Sequence, residues 1–223
     1  MSFQPTLFIM PHPVTIFFLV EIAGTIAFAC SGAMVAVRKQ LDLLGIIVLG
    51  VTTAVGGGML RDLLIGIHPP TLFVNPVYVT TAFVAVLFLF LVVRFHQLSI
   101  DTLESERYER VMNLLDAIGL GAFTVVGIDT AIEAGFQDYR FLMVFLGVIT
   151  GVGGGILRDM MAGQTPAVLK KHVYACASIA GAVCYVSLVG KIDNDIALVS
   201  SAVLVVVIRI LARKYRWNLP RAM

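Results

Sequence analysis

The sequence predicts an all-α, polytopic membrane protein with seven transmembrane helices, arranged as two inverted three-helix repeats plus a seventh helix. Three observations predict this fold class. The 223 residues are 59% hydrophobic and 13% charged, and their mean hydropathy is +0.94. Apolar runs of about spanning length follow one another along the chain, and one segment occurs twice. This composition leaves no room for a separate soluble catalytic domain, so we expect the protein not to be an enzyme.

The apolar runs predict the helices in chain order. At 1.5 Å per residue, each run crosses or nearly crosses a hydrocarbon core of about 30 Å. The runs are residues 14–37, 43–66, 77–93, 111–131, 141–163, 173–189 and 196–211. The seventh run is the shortest and contains Arg209, which we interpret as a basic side chain that reaches the membrane surface from near the end of a span.

These helices divide the chain into five segments. The predicted segments are a first three-helix repeat at 14–95, a polar cytoplasmic linker at 96–110, a second, inverted three-helix repeat at 111–190, the seventh transmembrane helix at 193–212 and a basic cytoplasmic tail at 213–223. Loop charge predicts their orientation. Twelve basic residues fall on the side of the linker and the tail, whereas Arg140 and Lys191 fall on the other. The positive-inside rule therefore predicts a cytoplasmic C-terminus and an N-terminus outside.

The internal repeat is visible in the sequence itself. Residues 50–66 and 147–163 are identical at eleven of seventeen positions, at an offset of 97. Upstream the offset becomes 95, which places Glu21 opposite Asp116. Because each unit has three spans, the second copy enters the membrane from the opposite face, which predicts an inverted repeat. Such repeats are typical of transporters and channels.

Each repeat carries three consecutive glycines inside its second helix, at Gly56, Gly57 and Gly58 and at Gly153, Gly154 and Gly155. Glycine costs a helix interior about 1 kcal/mol relative to alanine, so the triplets predict a break in the second and fifth helices. Freed carbonyls at a break can coordinate a cation, and freed N–H groups can bind a carboxylate, as in a zwitterion. The alternative is that the glycines allow close helix packing.

Charged pairs follow both triplets, as Arg61-Asp62 and Arg158-Asp159. Charges at this depth are costly unless they are paired or hydrated. They could line a pore, or they could form cross-pairs between the repeats, Arg61 with Asp159 and Arg158 with Asp62. The sequence leaves both possibilities open.

Two further kinds of side chain are matched across the repeat. Glu21 and Asp116 could raise the local cation concentration or take part in proton coupling, or they could accept hydrogen bonds from the arginines. Thr53 and Thr150 could add hydroxyl oxygens to an ion site or bond back to their own helices. Cysteine and histidine spacing indicates no metal site, we expect no cofactor, and a net charge of +2 indicates no nucleic-acid partner.

The doubled V-G-G-G-x-L-R-D motif in a seven-span inverted repeat resembles the prokaryotic branch of the trimeric intracellular cation channel (TRIC) family, from about residue 14 to 212. The resemblance implies a homotrimer in the cell inner membrane, in contact with lipid, with one pore per protomer. It also implies potassium or another monovalent cation as the permeant and the backbone oxygens of the kink glycines as its ligands. Bacterial members are also classified as glycine transporters, so transport of glycine or another small zwitterion through the same site is the alternative.

Overall fold

The apolar runs form α-helices close to the predicted bounds. The computed structural model describes residues 15–95, 105–170 and 173–217. In chain order its helices are α1 (Ile16–Arg38), α2 (Leu43–Ile65), α3 (Thr71–Val74), α4 (Val77–Phe95), α5 (Glu106–Glu133), α6 (Arg140–Met161), α7 (Ala167–Lys170), α8 (Tyr174–Leu188) and α9 (Asn194–Lys214). Within these ranges, six helices are long and apolar enough to cross a membrane, and α8 is a shorter apolar helix of 15 residues.

Two boundaries differ from the prediction. The last helix, α9, has 21 residues and extends beyond the apolar run at 196–211, and the Asp193 side chain caps its first turn by accepting hydrogen bonds from two backbone N–H groups. The predicted linker is also too long at its C-terminal end. Ser105 caps α5, so the helix begins at Glu106, while residues 96–104 lie outside the described ranges. Similarly, Arg213 and Lys214 of the predicted tail belong to α9.

The two halves of the chain pack in the same order. In the first half α1 packs against α2, and both contact α4; in the second half α5 packs against α6, and both contact α8. Two long contacts join the halves, α1 against α5 and α2 against α6, and α9 packs against α5 and α8. The Phe28 and Phe123 rings lie 5.4 Å apart at the contact between α1 and α5. The four helices α1, α2, α5 and α6 therefore form the centre of the molecule.

Both α2 and α6 end a few residues before a proline, Pro69 after α2 and Pro166 after α6. Gly66 stops α2 in the left-handed conformation at φ 77°, which glycine adopts without steric cost. A short helix follows each of the two, α3 after α2 and α7 after α6. These segments bring the chain back toward the charged residues at the ends of α2 and α6.

Candidate functional site

The glycine triplets do not break their helices. Both α2 and α6 are α-helical throughout, including Gly56–Gly58 and Gly153–Gly155. The predicted break is therefore wrong, and with it the freed carbonyl and N–H groups that it would supply. In an apolar environment each unpaired backbone group costs several kcal/mol, more than the propensity cost of a glycine. The alternative, close helix packing, agrees with the structure.

The triplets form the crossing of α2 and α6. A Cβ atom on Gly57 would lie under 3.0 Å from the Thr150 carbonyl oxygen, and one on Gly154 would lie equally close to the Thr53 carbonyl oxygen. The two contacts are reciprocal, as the sequence repeat requires. Backbone therefore touches backbone at the centre of the molecule, and no side chain fits between the helices there.

Thr53 and Thr150 bond to their own helices, which is the second of the two predicted alternatives. Thr53 Oγ1 donates a hydrogen bond to the Leu49 carbonyl oxygen at 2.6 Å, and Thr150 Oγ1 donates one to the Leu146 carbonyl oxygen at 2.6 Å. Both side chains are fully buried. The hydroxyl hydrogens are therefore already engaged within α2 and α6.

Glu21, Arg61, Asp62 and Tyr78 form what we call the first cluster. Arg61 binds Asp62 through Nε, at 2.9 Å, and through Nη2, at 2.7 Å. The second carboxylate oxygen of Asp62 accepts a hydrogen bond from the Thr71 backbone N–H at 2.8 Å, which fastens α3 to the end of α2. The Tyr78 hydroxyl, at the start of α4, donates to Glu21 Oε2. The group that binds the Glu21 carboxylate is thus the uncharged hydroxyl of Tyr78.

A cavity of about 40 Å³ opens beside the first cluster. Its wall includes Glu21, Arg61, Asp62, Tyr78 and Gly58, together with apolar side chains of α2, α3 and α5. Since one buried water needs about 10–15 Å³ of such volume, the cavity has room for about three water molecules. It brings together four residues that the sequence singled out, Glu21, Gly58, Arg61 and Asp62.

Their repeat equivalents and one extra arginine form the second cluster: Asp116, Arg158, Asp159, Tyr174 and Arg209. Arg158 Nη1 donates to Asp116 Oδ1 at 2.7 Å and to Ser31 Oγ at 2.7 Å, and its Nε donates to Asp159 Oδ1 at 2.9 Å. Asp159 Oδ2 accepts from the Ala167 backbone N–H at 2.6 Å, fastening α7 as Asp62 fastens α3. All five members are buried.

The predicted cross-pairs between the repeats are wrong. Each arginine binds the aspartate that follows it in sequence, Arg61 with Asp62 and Arg158 with Asp159. Each aspartate also accepts a hydrogen bond from the backbone of the short helix in its own half, Asp62 from α3 and Asp159 from α7. These bonds hold each aspartate in its own half of the molecule. Asp116 accepts a hydrogen bond from an arginine, the structural role that the sequence left open. Instead, a hydrogen bond from Arg158 to Ser31 of α1 links the second cluster to the first half.

Sequence reasoning missed three residues of these clusters. Tyr78 and Tyr174 occupy matching places at the start of α4 and α8, and their common offset of 96 was a usable signal. Arg209 had no such signal, because its partner Asp116 lies on a different helix. The Arg209 guanidinium lies 4.5 Å from the centre of the Tyr174 ring, and its Nη2 is 3.8 Å from Asp116 Oδ2. The prediction that Arg209 reaches the membrane surface is therefore wrong.

The clusters differ in formal charge and in exposure. In the first, Glu21 and Asp62 outnumber Arg61, for a formal charge of −1, whereas Arg209 brings the second to zero. Glu21 and Tyr78 are half-buried, but their equivalents Asp116 and Tyr174 are buried. Only the first cluster therefore combines a net negative formal charge with accessible space.

Comparison with known proteins agrees with this architecture. A family model described as glycine transporter matches the chain twice, at residues 18–94 and 113–189, so both halves match the same unit. The membrane protein YvgT of Bacillus subtilis is 36% identical over 202 residues, covering 91% of this chain and 94% of YvgT. The inner membrane protein YadS of Escherichia coli K12 is 34% identical over 201 residues, covering 89% of this chain and 91% of YadS.

Solved structures show the same fold. One solved chain comes from work on the structural basis for conductance through TRIC cation channels. Its sequence is 36% identical to this chain, and the two structures match with a TM-score of 0.80 over 94% of this chain and 98% of that chain. A trimeric intracellular cation channel orthologue from Rhodobacter sphaeroides is 30% identical, with a TM-score of 0.81 over 91% of this chain and 100% of that chain.

The fold and these matches define a multi-pass membrane protein of the channel and transporter class, not an enzyme. The chain belongs to the glycine transporter family. The solved structures that it resembles are TRIC channels, and they place the chain in the prokaryotic branch of that group.

Proposed function

We propose that this protein is a passive, potassium-selective channel for monovalent cations, with one path through each protomer of a homotrimer. The observation that carries the proposal is the cavity at the first cluster, where Glu21 and Asp62 outnumber Arg61 and give the wall a net negative formal charge. A negative cleft with low-dielectric walls raises the local concentration of cations. The likeness to solved TRIC cation channels supports the same conclusion.

The proposed path continues from the cavity along α1, α2, α5 and α6 to the second cluster. Between the two clusters it passes the crossing of α2 and α6, where Gly57 and Gly154 touch the facing backbone. Because both helices are continuous, the glycine carbonyls already accept helical hydrogen bonds. Each carbonyl oxygen has a second lone pair. We propose that the glycine carbonyl oxygens bind a cation through this lone pair when the helices separate.

The proposed topology has seven spans, with the short helix α8 as the sixth and the two halves inverted. Arg209 does not count toward the orientation because it is buried, which leaves eleven basic residues on the side of the linker and the tail in the sequence-based count. The imbalance still predicts a cytoplasmic C-terminus and an N-terminus outside. Assembly in the inner membrane as a trimer, in contact with lipid, follows the structural neighbours.

A carrier for glycine is the second candidate, and one observation favours it. The cavity presents a guanidinium, Arg61, and two carboxylates, Glu21 and Asp62, in the same wall. A small zwitterion carries the complementary charges, a carboxylate for the arginine and an ammonium for Glu21. The description of the matching family model names the same solute.

Reconstituted protein separates the two candidates. The full chain in liposomes is tested for potassium, sodium and radiolabelled glycine flux, beside the variants Glu21→Gln and Glu109→Gln. Glu109 is an exposed carboxylate paired with Arg38, so its variant controls for loss of a charge. We expect potassium flux from the wild type and the control, and about tenfold less from Glu21→Gln, because the negative wall is lost. Glycine exchange without potassium current would refute the channel and support the carrier.

A further inference from the structure

The two clusters hold their repeat-equivalent carboxylates in different ways. Glu21 accepts a hydrogen bond from Tyr78 and lies beside the cavity, whereas Asp116 accepts one from Arg158 and is buried. The sequence repeat supplies the same chemistry at both places, namely an acid, an arginine, an aspartate and a tyrosine. The second cluster also has a group from outside the repeat.

Arg209 is that additional group. It belongs to α9, which has no counterpart in the repeat, and it is 92% buried, with an exposed fraction of 8%. Its guanidinium covers the Tyr174 ring at 4.5 Å, and its Nη2 lies 3.8 Å from Asp116 Oδ2. Arg209 therefore lies against both Asp116 and Tyr174, the counterparts of Glu21 and Tyr78 in the first cluster.

The contacts of Arg209 are incomplete. Its Nε makes no hydrogen bond among the residues that the structure describes, and 3.8 Å to Asp116 is longer than a hydrogen bond. A buried donor without a partner is costly. Arg209 is thus held by charge and by the tyrosine ring rather than by a rigid hydrogen-bond network, which suits a contact that opens and closes.

From these observations we propose that Arg209 is the positioning residue that keeps the second cluster closed, and that this cluster is the gate of the pathway. The inference rests on the proposed function. Without Arg209 the second cluster would have the formal charge of the first, −1, and the guanidinium beside Asp116 and Tyr174 would be missing. With Arg209 in place the formal charge is zero and Asp116 is buried.

The test measures access to the second cluster separately from conduction. In the full chain with its three native cysteines replaced by alanine, Ser31→Cys places a thiol against Arg158, where the wild-type side chain is fully buried. The rate of its modification by a membrane-impermeant thiol reagent is measured in liposomes, alone and combined with R209Q, R209K or K214Q. Lys214 lies on the same helix beyond the cluster, so K214Q is the matched loss of charge.

We expect R209Q to raise the modification rate about tenfold, which corresponds to about 1.4 kcal/mol. R209K keeps the charge and should give an intermediate rate, and K214Q should leave the rate unchanged. R209Q should fold, because Arg158 still binds Asp116; R209M provides a second variant, with an apolar side chain of similar length. Thermal unfolding checks each protein.

The outcomes separate this inference from the proposed function. Faster modification in R209Q together with faster potassium flux supports the gate. An unchanged modification rate in a folded R209Q overturns it, whether or not the protein conducts. Faster modification without potassium flux from any variant, wild type included, supports control of access by Arg209 and refutes the potassium channel.

Discussion

Neighbouring glycines in one triplet should respond in opposite ways to the same substitution. A Cβ at Gly57 would lie under 3.0 Å from the Thr150 carbonyl oxygen, a backbone atom that cannot rotate away. At Gly58 the nearest atom to a Cβ is the Arg61 Nη2, at 3.7 Å, an ordinary contact. Gly57→Ala therefore forces α2 and α6 apart, and Gly58→Ala does not.

The magnitudes follow from two opposing effects. Alanine improves helix propensity by about 1 kcal/mol at either position. At Gly57 the crossing must widen by about 1 Å, and overpacking of this kind costs about 3 kcal/mol at the upper end of its usual range. We expect Gly57→Ala to destabilise the protein by about 2 kcal/mol and Gly58→Ala to stabilise it by about 0.5–1 kcal/mol.

Thermal unfolding in a mild detergent, followed by circular dichroism, measures both variants beside the wild type. Gly154→Ala repeats the Gly57 test on α6, since its Cβ would meet the Thr53 carbonyl oxygen. The reasoning is refuted if Gly57→Ala and Gly154→Ala unfold at or above the wild-type temperature. It also fails if Gly58→Ala is the more destabilised of the two α2 variants.

Three further substitutions test single contacts. Asp116→Asn should cost about 3 kcal/mol in unfolding free energy, because it leaves the buried Arg158 without its partner on α5; unchanged thermal unfolding would contradict this. Thr53→Val should leave the ratio of potassium to sodium flux unchanged, because its hydroxyl bonds within α2; a changed ratio would make that hydroxyl an ion ligand. Tyr78→Phe should cost about 1.5 kcal/mol, since it removes the donor that holds Glu21. Thermal unfolding measures this loss, and a variant as stable as the wild type would show that the bond is energetically unimportant.

Much of the fold was predictable because the bilayer simplifies the problem. Spanning helices must be apolar and about 20 residues long, so runs such as 43–66 and 141–163 mark α2 and α6 within a few residues. The repeat offset also placed Glu21 and Asp116 at equivalent positions. These features depend on local composition and on identity between segments, which a single sequence contains.

The continuity of α2 and α6 was not predictable from glycine propensity. The triplet in α2 costs about 1 kcal/mol per glycine when it is considered alone. A break would leave backbone groups unpaired in an apolar environment, which costs more, and the facing backbone at Thr150 requires a residue without a side chain at Gly57. The decisive partner lies on another helix, so the triplet alone does not distinguish a break from a crossing.

The ion pairs were the least predictable part of the site. Arg209 and Asp116 are 93 positions apart in the chain, and only the packing of α9 against α5 brings them together. Likewise Arg61 binds the adjacent Asp62 because the backbone of Thr71 holds that carboxylate in place. Side-chain pairing of this kind follows from the relative placement of helices, which charge spacing along one helix does not give.

The length of α8 affects the surrounding lipid. Its 15 residues extend about 22 Å, less than the roughly 30 Å of an average hydrocarbon core. As the proposed sixth span, α8 would be shorter than the hydrocarbon core, and its exposed side includes Ile179 and Val183. Where that span faces lipid, the acyl chains beside α8 shorten or tilt to cover it, so the bilayer is thinned at one fixed place beside the protein.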